Sequence, residues 1–425
     1  MSAPRPLAAY ATVTAAYWAF MLTDGALRML VLLHFHTLGF SPLQLAWLFL
    51  LYELMGVVTN LSAGWIAARF GLTRTLYAGL GLQIAALLAL TQLDPAWSVA
   101  ASAAFVALAQ GVSGVAKDLA KMSAKSAVKL LAPANVEGAL FRWVALLTGS
   151  KNAVKGVGFF LGAALLAGLG FEASVIAMAA GLALVLAGVA AFMPAGLPGG
   201  KGKTPFRAVF SKDAAINRLS AARLFLFGAR DVWFVVGVPI YFYGVLSDGT
   251  TEGDRAAFFL VGAFMAAWII GYGAIQAAAP RLLNARDKPV AEAARLAAWW
   301  AGVLALIPAA LAALALAGGA ATWVAAALVA GLLAFGAVFA LNSALHSYLI
   351  LAFSKAERVT MDVGFYYMAN AAGRLTGTLL SGLSYQLGGL PLCLATAAAM
   401  AAASWFFARG LPAAKPVPAE ATIQP

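Results

Sequence analysis

Long apolar runs separated by short polar breaks dominate the pattern along the chain. A helix needs about 20 mostly apolar residues to cross a bilayer, and the runs approach or exceed that length. Boundaries between runs fall at Gly, Pro and charged residues, which favour loops. The pattern predicts twelve helical spans, at 7–36, 42–68, 75–92, 97–130, 139–168, 171–193, 217–246, 255–279, 294–317, 320–353, 359–387 and 390–409.

The composition places this chain among membrane proteins. Of its 425 residues, 63% are hydrophobic and 10% are charged, whereas soluble proteins have about 45–50% apolar and about 25% charged residues. In a soluble protein the net charge of +12 would suggest a nucleic-acid partner, but here it is divided between loops and spans. The single cysteine, Cys393, excludes a disulfide framework and a multi-thiol site for soft metals.

Lys and Arg are concentrated in alternate connections between the spans, which predicts the orientation of the chain. The bias predicts a multi-pass protein of the bacterial inner membrane with both termini in the cytoplasm. The longest inner connection, 194–216, is basic and rich in Gly and Pro. We therefore expect an N-terminal six-helix bundle at 1–193, a cytoplasmic linker at 194–216, a C-terminal six-helix bundle at 217–410 and a disordered cytoplasmic tail at 411–425.

The two bundles show weak internal similarity. Asp24 follows an Ala-Ala pair in the first span, and Asp231 follows a similar pair in the seventh. The fifth and eleventh spans each carry a basic residue three positions before a glycine, with Lys155 before Gly158 and Arg374 before Gly377. Two parallel six-helix repeats resemble the major facilitator architecture, in which the substrate binds near mid-membrane between the halves.

Charged residues inside the spans carry the functional signal, because such charges are costly unless they face a cavity. Eleven basic residues lie within the spans or at their ends: Arg28, Lys117, Lys121, Lys125, Lys129, Arg142, Lys151, Lys155, Arg223, Arg230 and Arg374. Only five acids accompany them: Asp24, Glu53, Asp118, Asp231 and Asp362. The positive excess predicts an anionic ligand.

The spacing of these cations defines a candidate site. Lys117, Lys121 and Lys125 recur every four residues, as do Lys151 and Lys155, so each set lies on one helical face. The arginines add planar forks that suit phosphate or carboxylate. Alternatively, lysines at the inner end of the fourth span are membrane anchors that extend to the interface. The predicted substrate-binding residues are Arg28, Lys117, Lys121, Lys151, Lys155, Arg223, Arg230 and Arg374.

The acids have two possible roles that spacing does not separate. Asp24, Glu53, Asp118 and Asp231 are candidates for proton coupling or for charge compensation. Asp24 and Arg28 are four residues apart, so an internal ion pair between them is one expectation.

Other chemistry finds little support in the sequence. No nucleophile, metal or acid–base constellation stands out, so we expect no enzyme, no catalytic residues, no cofactor and no metal site. His34 and His36 are interpreted as surface histidines rather than ligands, and His346 as a residue of the cavity or of the core. Gly202-Lys203-Thr204 lacks the upstream glycine of a phosphate-binding loop and is interpreted as linker, so any transport would be secondary.

Several segments around these charges closely resemble the ArsJ-type organoarsenical efflux permeases, a branch of the major facilitators. The resemblance covers nearly the whole chain up to about Gly410. Its most specific segments are Leu22–His36, Tyr52–Leu54, Gly56–Leu61, Ala116–Leu119, Lys121–Ala127, Leu147–Ala153, Lys155–Phe160 and Ser220–Trp233. The loop between spans two and three keeps the Arg69 and Gly71 of the wider superfamily, but Ala68 replaces its acid and Leu72 its first basic residue.

The resemblance implies a twelve-helix secondary exporter of 1-arseno-3-phosphoglycerate that confers arsenate resistance. A glyceraldehyde-3-phosphate dehydrogenase would be its functional partner, because that enzyme makes the substrate. A basic cavity suits the two anionic ends of this molecule, and pentavalent arsenic needs no thiols. An exchanger for another phosphate ester or organic anion is the alternative. We expect a monomer without nucleic-acid partners; the coupling ion and the direction of transport stay open.

Overall fold

The computed structural model describes residues 6–70, 72–131, 139–193, 210–283, 289–319, 322–354 and 359–412, and every regular element in these ranges is a helix. The helices are α1 (Pro6–Thr37), α2 (Pro42–Phe70), α3 (Leu72–Leu90), α4 (Val99–Leu131), α5 (Ala139–Phe192), α6 (Ala214–Val232), α7 (Val238–Leu246), α8 (Thr251–Leu282), α9 (Val290–Gly318), α10 (Thr322–Phe353) and α11 (Val359–Arg409). A π-helical turn, Trp233–Gly237, joins α6 to α7.

Ten helices within the described ranges are long and apolar enough to cross a membrane, α6 and α7 counting as one. The chain is therefore a multi-pass membrane protein. Two of the ten are interrupted, α5 at Gly170 with φ 75° and α11 at Gly388 and Gly389, the latter with φ 61°. These breaks fall between the runs predicted at 139–168 and 171–193, and at 359–387 and 390–409. The count of twelve crossings remains a prediction, because it requires both arms of each interrupted helix to cross.

Several helices begin earlier than the hydrophobic pattern predicts. The predicted start at 217 is three residues late, because Asp213 caps α6 by accepting hydrogen bonds from the amides of Ala215 and Ile216. In α8, Thr250 caps the helix by accepting from the amide of Gly253. Capping residues are polar, so a search for apolar runs assigns them and the first helical turn to the loop.

Glycines bring α1 against α5 and α6 against α11 in matching ways. A Cβ on Gly158 would meet the carbonyl oxygen of Leu22 and the Cα of Gly25. A Cβ on Gly377 would lie 2.7 Å from the carbonyl oxygen of Gly228. Small residues allow such backbone contact between membrane helices. Gly158 and Gly377 each follow the basic residue paired with them in the sequence comparison, so the two halves place Lys155 and Arg374 in corresponding positions.

Further contacts join the early part of α2 to α11 and α5 to α8. A Cβ on Gly382 would meet the carbonyl oxygen of Pro42, and a Cβ on Gly262 would lie 2.7 Å from the Cβ of Ala163. Along α2, the residues that line the central cavity follow this contact, from Glu53 to Asn60.

Candidate functional site

A central cavity of about 210 Å³ collects the intramembrane charges. All eight predicted substrate-binding residues line it: Arg28, Lys117, Lys121, Lys151, Lys155, Arg223, Arg230 and Arg374. Glu53, Asp118 and Asp231 line it too, and Asp24 is buried behind it. Eight cations against these four carboxylates leave a formal excess of four positive charges. The cavity is therefore suited to an anion.

Lys155 and Asp24 form the ion pair between α5 and α1. Lys155 Nζ lies 2.5 Å from Asp24 Oδ2, and the Tyr52 hydroxyl donates to Asp24 Oδ1 at 2.5 Å. The expected pair of Asp24 with Arg28 is not formed. The close approach of α1 to α5 at Gly25 and Gly158 brings Lys155 to Asp24, which leaves Arg28 directed elsewhere.

Glu53 of α2 is shared by arginines from the two halves. Its Oε1 lies 2.8 Å from Arg28 Nη2 and 2.6 Å from Arg374 Nη2. The Glu53 side chain is fully buried. Because Arg28 belongs to α1 and Arg374 to α11, this single carboxylate joins the N-terminal and C-terminal helices across the cavity.

Asp231 continues this charge network in the C-terminal half. Its Oδ1 lies 2.5 Å from Arg230 Nη2, and its Oδ2 lies 3.4 Å from Arg374 Nε. Arg374 of α11 is thus a partner of Asp231 on another helix, while Arg230 pairs with its chain neighbour. The network thus runs from Arg28 through Glu53, Arg374 and Asp231 to Arg230.

A second polar cluster surrounds Asp118 of α4. Lys121 Nζ donates to Asp118 Oδ1 at 2.7 Å and to Asn60 Oδ1 at 2.6 Å. Thr59 donates to the other oxygen of Asp118. Lys117, one turn before Lys121, has no carboxylate within ion-pair distance in the described part of the chain; its ammonium lies 4.0 Å from the centroid of the Tyr52 ring. Lys117 therefore lines the cavity without a direct carboxylate contact.

Arg223 of α6 is a second cation of the cavity without a carboxylate contact. It is 4% exposed, and its guanidinium donates to neutral groups: Asn370 Oδ1 at 2.9 Å and Ser343 Oγ at 3.0 Å. Its Cζ lies 4.0 Å from the centroid of the Phe227 ring. No carboxylate among the described residues forms an ion pair with it. Because an unpaired buried charge is costly, an anion in the cavity would be stabilised here.

Sequence reasoning did not select the neutral polar residues of the cavity. Asn60, Gln276, Asn370 and the tyrosines Tyr17, Tyr272 and Tyr367 line it beside the charges. Some of them share a helical face with a charged residue, as Asn370 does with Arg374 at a spacing of four. Tracing polar residues at i±4 and i±7 from each intramembrane charge would have found Asn60, Asn370, Tyr17 and Tyr367, but not Gln276 or Tyr272.

The other candidates lie away from the cavity or outside the described side chains. The side chains of Lys125, Lys129 and Arg142 lie outside the described residues. His34 stacks on Phe171 with ring centroids 4.3 Å apart, and His36 meets the edge of Tyr243. His346 is fully buried. Where side chains are described, no three His, Cys, Asp or Glu converge as a metal site would require.

The π-helical turn after Asp231 is held by side chains from α11. Ser381 Oγ accepts hydrogen bonds from the amides of Val236 and Gly237 at 3.1 and 3.2 Å. Cys393 Sγ donates to the carbonyl oxygen of Val232 at 2.8 Å. Single π-turns within α-helices are frequent at functional sites. Here the turn begins two residues after Asp231, so the anchored segment lies next to Arg230 and Asp231 in the chain.

Ser381→Ala should therefore destabilise the protein by about 1–3 kcal/mol, because two buried amides lose their acceptor. Thr376→Ala is the control on the same helix, since Thr376 is exposed and its hydroxyl donates to the carbonyl oxygen of Ala372, one turn away in α11. Denaturant unfolding of the purified protein measures both. Equal stability of the two variants would contradict a role for Ser381 in holding the turn.

No protein-family model matches the chain, and no curated protein matches it in sequence. Solved structures do match. A POT family transporter in complex with 5-aminolevulinic acid has a TM-score of 0.70 and 13% identity over 93% of this chain and 94% of its own. The nucleoside transporter NupG has a TM-score of 0.69 and 14% identity over 95% and 98% of the two chains.

A structure of a proton dependent oligopeptide transporter gives similar values, with a TM-score of 0.67 and 15% identity over 94% of this chain and 97% of its own. These structures are major facilitator transporters. At such identities the likeness establishes the fold. The chain therefore has the major facilitator fold over nearly its whole length.

Proposed function

We propose that this protein is a secondary transporter that moves a small, multiply charged anion by alternating access around the central cavity. The observation that carries the proposal is the set of eight cations, drawn from both halves of the fold, facing four carboxylates. Major facilitator transporters bind substrate between their halves. An anion bound there offsets the charge excess and contacts both halves at once.

The substrate we propose is 1-arseno-3-phosphoglycerate, exported from the cytoplasm across the bacterial inner membrane. The resemblance to the ArsJ-type permeases supports this choice. A phosphate at one end and an arsenate ester at the other match a cavity in which Lys117 of α4 and Arg223 of α6 have no carboxylate of the described residues within ion-pair distance. The substrate would come from a glyceraldehyde-3-phosphate dehydrogenase. An exchanger for another phosphate ester or organic anion would use the same cavity and is the alternative.

Transport follows from competition for the shared arginines. An incoming phosphate or arsenate oxygen competes with Glu53 and Asp231 for Arg28, Arg230 and Arg374, because guanidinium groups bind both kinds of oxyanion through paired hydrogen bonds. Weakening the Glu53 bridge loosens the contact between the halves only when substrate is bound. If a proton is coupled to transport, Asp24 or Glu53 carries it; otherwise a counter-anion is exchanged.

Arsenate tolerance tests the proposal directly. Cells that express this chain together with the dehydrogenase should tolerate more arsenate and retain less arsenic than cells that express either protein alone. Purified protein in liposomes separates the alternatives, since uptake of 3-phosphoglycerate without any arsenate phenotype would favour a general phosphate-ester exchanger. Absence of both effects, with normal membrane insertion, would refute an anion transporter.

A further inference from the structure

A second recess lies outside the central cavity, between the start of α9 and the end of α11. It has a volume of about 410 Å³. Its floor consists mainly of alanine methyl groups, and two arginines stand at its rim. The lining residues are Ala291, Ala294, Arg295, Ala298, Ala408, Arg409 and Leu411. Small side chains leave room there for a narrow apolar chain, and the guanidinium groups provide positive charge beside it.

The two arginines are available to a ligand. Arg295 and Arg409 are both exposed, and neither forms an ion pair with a carboxylate of the described residues. Arg409 Cζ lies 4.7 Å from the centroid of the Trp405 ring. The Trp405 ring packs 3.2 Å from the Cβ position of Gly302 in α9. This stacking orients the Arg409 guanidinium at the rim without neutralising it.

The surroundings of the recess are those of a membrane interface. Trp299 is 58% exposed, and the neighbouring outer surface carries exposed Leu306 and Phe406. Tryptophans collect where lipid headgroups meet the hydrocarbon core. Exposed leucine and phenylalanine on a membrane-spanning helix contact acyl chains. The arginines therefore lie at headgroup depth, and the alanine floor continues toward the lipid.

We infer that this recess binds an anionic phospholipid, with its phosphodiester between Arg295 and Arg409 and an acyl chain along the alanine floor. Basic pockets between membrane helices recognise anionic headgroups in this way. The combination of a charged rim and an apolar floor selects a lipid over free phosphate, which would use the arginines alone. The site is independent of the proposed transport function, because it lies on the outer surface of the bundle.

Native mass spectrometry of the purified full-length protein tests this site. The protein should retain added phosphatidylglycerol in preference to phosphatidylcholine, and Arg295→Gln with Arg409→Gln should weaken that retention about tenfold or more. Arg281→Gln is the control, because Arg281 is an exposed arginine in the last turn of α8. The control should bind phosphatidylglycerol as the unaltered protein does.

A thermal measurement provides a second readout. Phosphatidylglycerol should raise the unfolding temperature of the unaltered protein, since a ligand that binds only the folded state stabilises it, and this rise should disappear in the double variant. Equal retention of phosphatidylcholine, an equal loss in Arg281→Gln, or full displacement of the lipid by millimolar inorganic phosphate would each overturn the proposal.

Discussion

Replacement of Arg223 by glutamine is expected to weaken anion binding at least tenfold without unfolding the protein. A charge-assisted hydrogen bond contributes about 1.5–3 kcal/mol, and about 1.4 kcal/mol corresponds to a factor of ten in affinity. Arg223 is buried and donates only to neutral groups of Asn370 and Ser343. Its charge is thus not committed to a carboxylate and is available to the substrate.

The stability of the Arg223→Gln variant distinguishes a role of Arg223 in anion binding from a structural role. Removing a buried cation that lacks a counter-ion relieves a desolvation cost, so the empty Arg223→Gln protein should be at least as stable as the original. Binding of 3-phosphoglycerate, a stable phosphate and carboxylate compound, is measured by calorimetry in parallel. Arg223→Lys should recover only part of the affinity, because an ammonium group cannot present two parallel donors.

The matched control lies on the same helix. Arg218 is exposed, and its Nη1 donates to the carbonyl oxygen of Gly410 at 2.6 Å, away from the cavity. Arg218→Gln should leave 3-phosphoglycerate affinity unchanged. If Arg223→Gln bound the anion as tightly as this control while losing stability, Arg223 would be a structural residue and the basic-cavity argument would be wrong.

The sequence was sufficient to predict that the chain folds into long apolar helices and which charged residues line the cavity. Apolar runs of membrane length leave the chain few alternatives to helices. The cost of an intramembrane charge requires cations such as Lys155 and Arg230 to avoid lipid. In this chain both face the cavity. These two arguments depend only on the position of a residue within a run, which the sequence displays directly.

The pairing of those charges was not predictable in the same way. Spacing favoured Asp24 with Arg28 within one helix, yet Asp24 pairs with Lys155 and Arg28 with Glu53. Which ion-pair partner each charged residue takes depends on how closely neighbouring helices approach and on which faces they turn toward each other. Glycine contacts set that approach here, and no single-helix periodicity reports which helix packs against which.

The π-helical turn could not be predicted from the sequence for a related reason. The residues Trp233–Gly237 continue an apolar run whose pattern predicts an ordinary α-helix. The extra residue in this turn is tolerated because Ser381 and Cys393, more than 140 positions away in α11, satisfy the backbone groups around it. The helix propensity of the residues in the turn depends only on their near neighbours in the chain, so it does not indicate such distant partners.

Replacement of Glu53 by glutamine is expected to have the largest effect on stability, a loss of about 3–5 kcal/mol, because two partly buried guanidinium groups lose the fully buried carboxylate that they share. Denaturant unfolding of the purified protein measures this loss. Glu252→Gln is the control, since Glu252 is exposed in the first turn of α8 and should be nearly silent.

A double variant identifies the cause. If Glu53 stabilises the protein through Arg374, then Glu53→Gln combined with Arg374→Gln should lose less than the sum of the single losses, with a coupling of about 0.5–3 kcal/mol. Strict additivity would rule out the bridge between the halves as the source of stability.

Anion affinity provides the complementary test, because Glu53→Gln increases the positive excess of the cavity. The variant should therefore bind 3-phosphoglycerate more tightly yet transport it more slowly, since substrate no longer competes with Glu53 to loosen the halves.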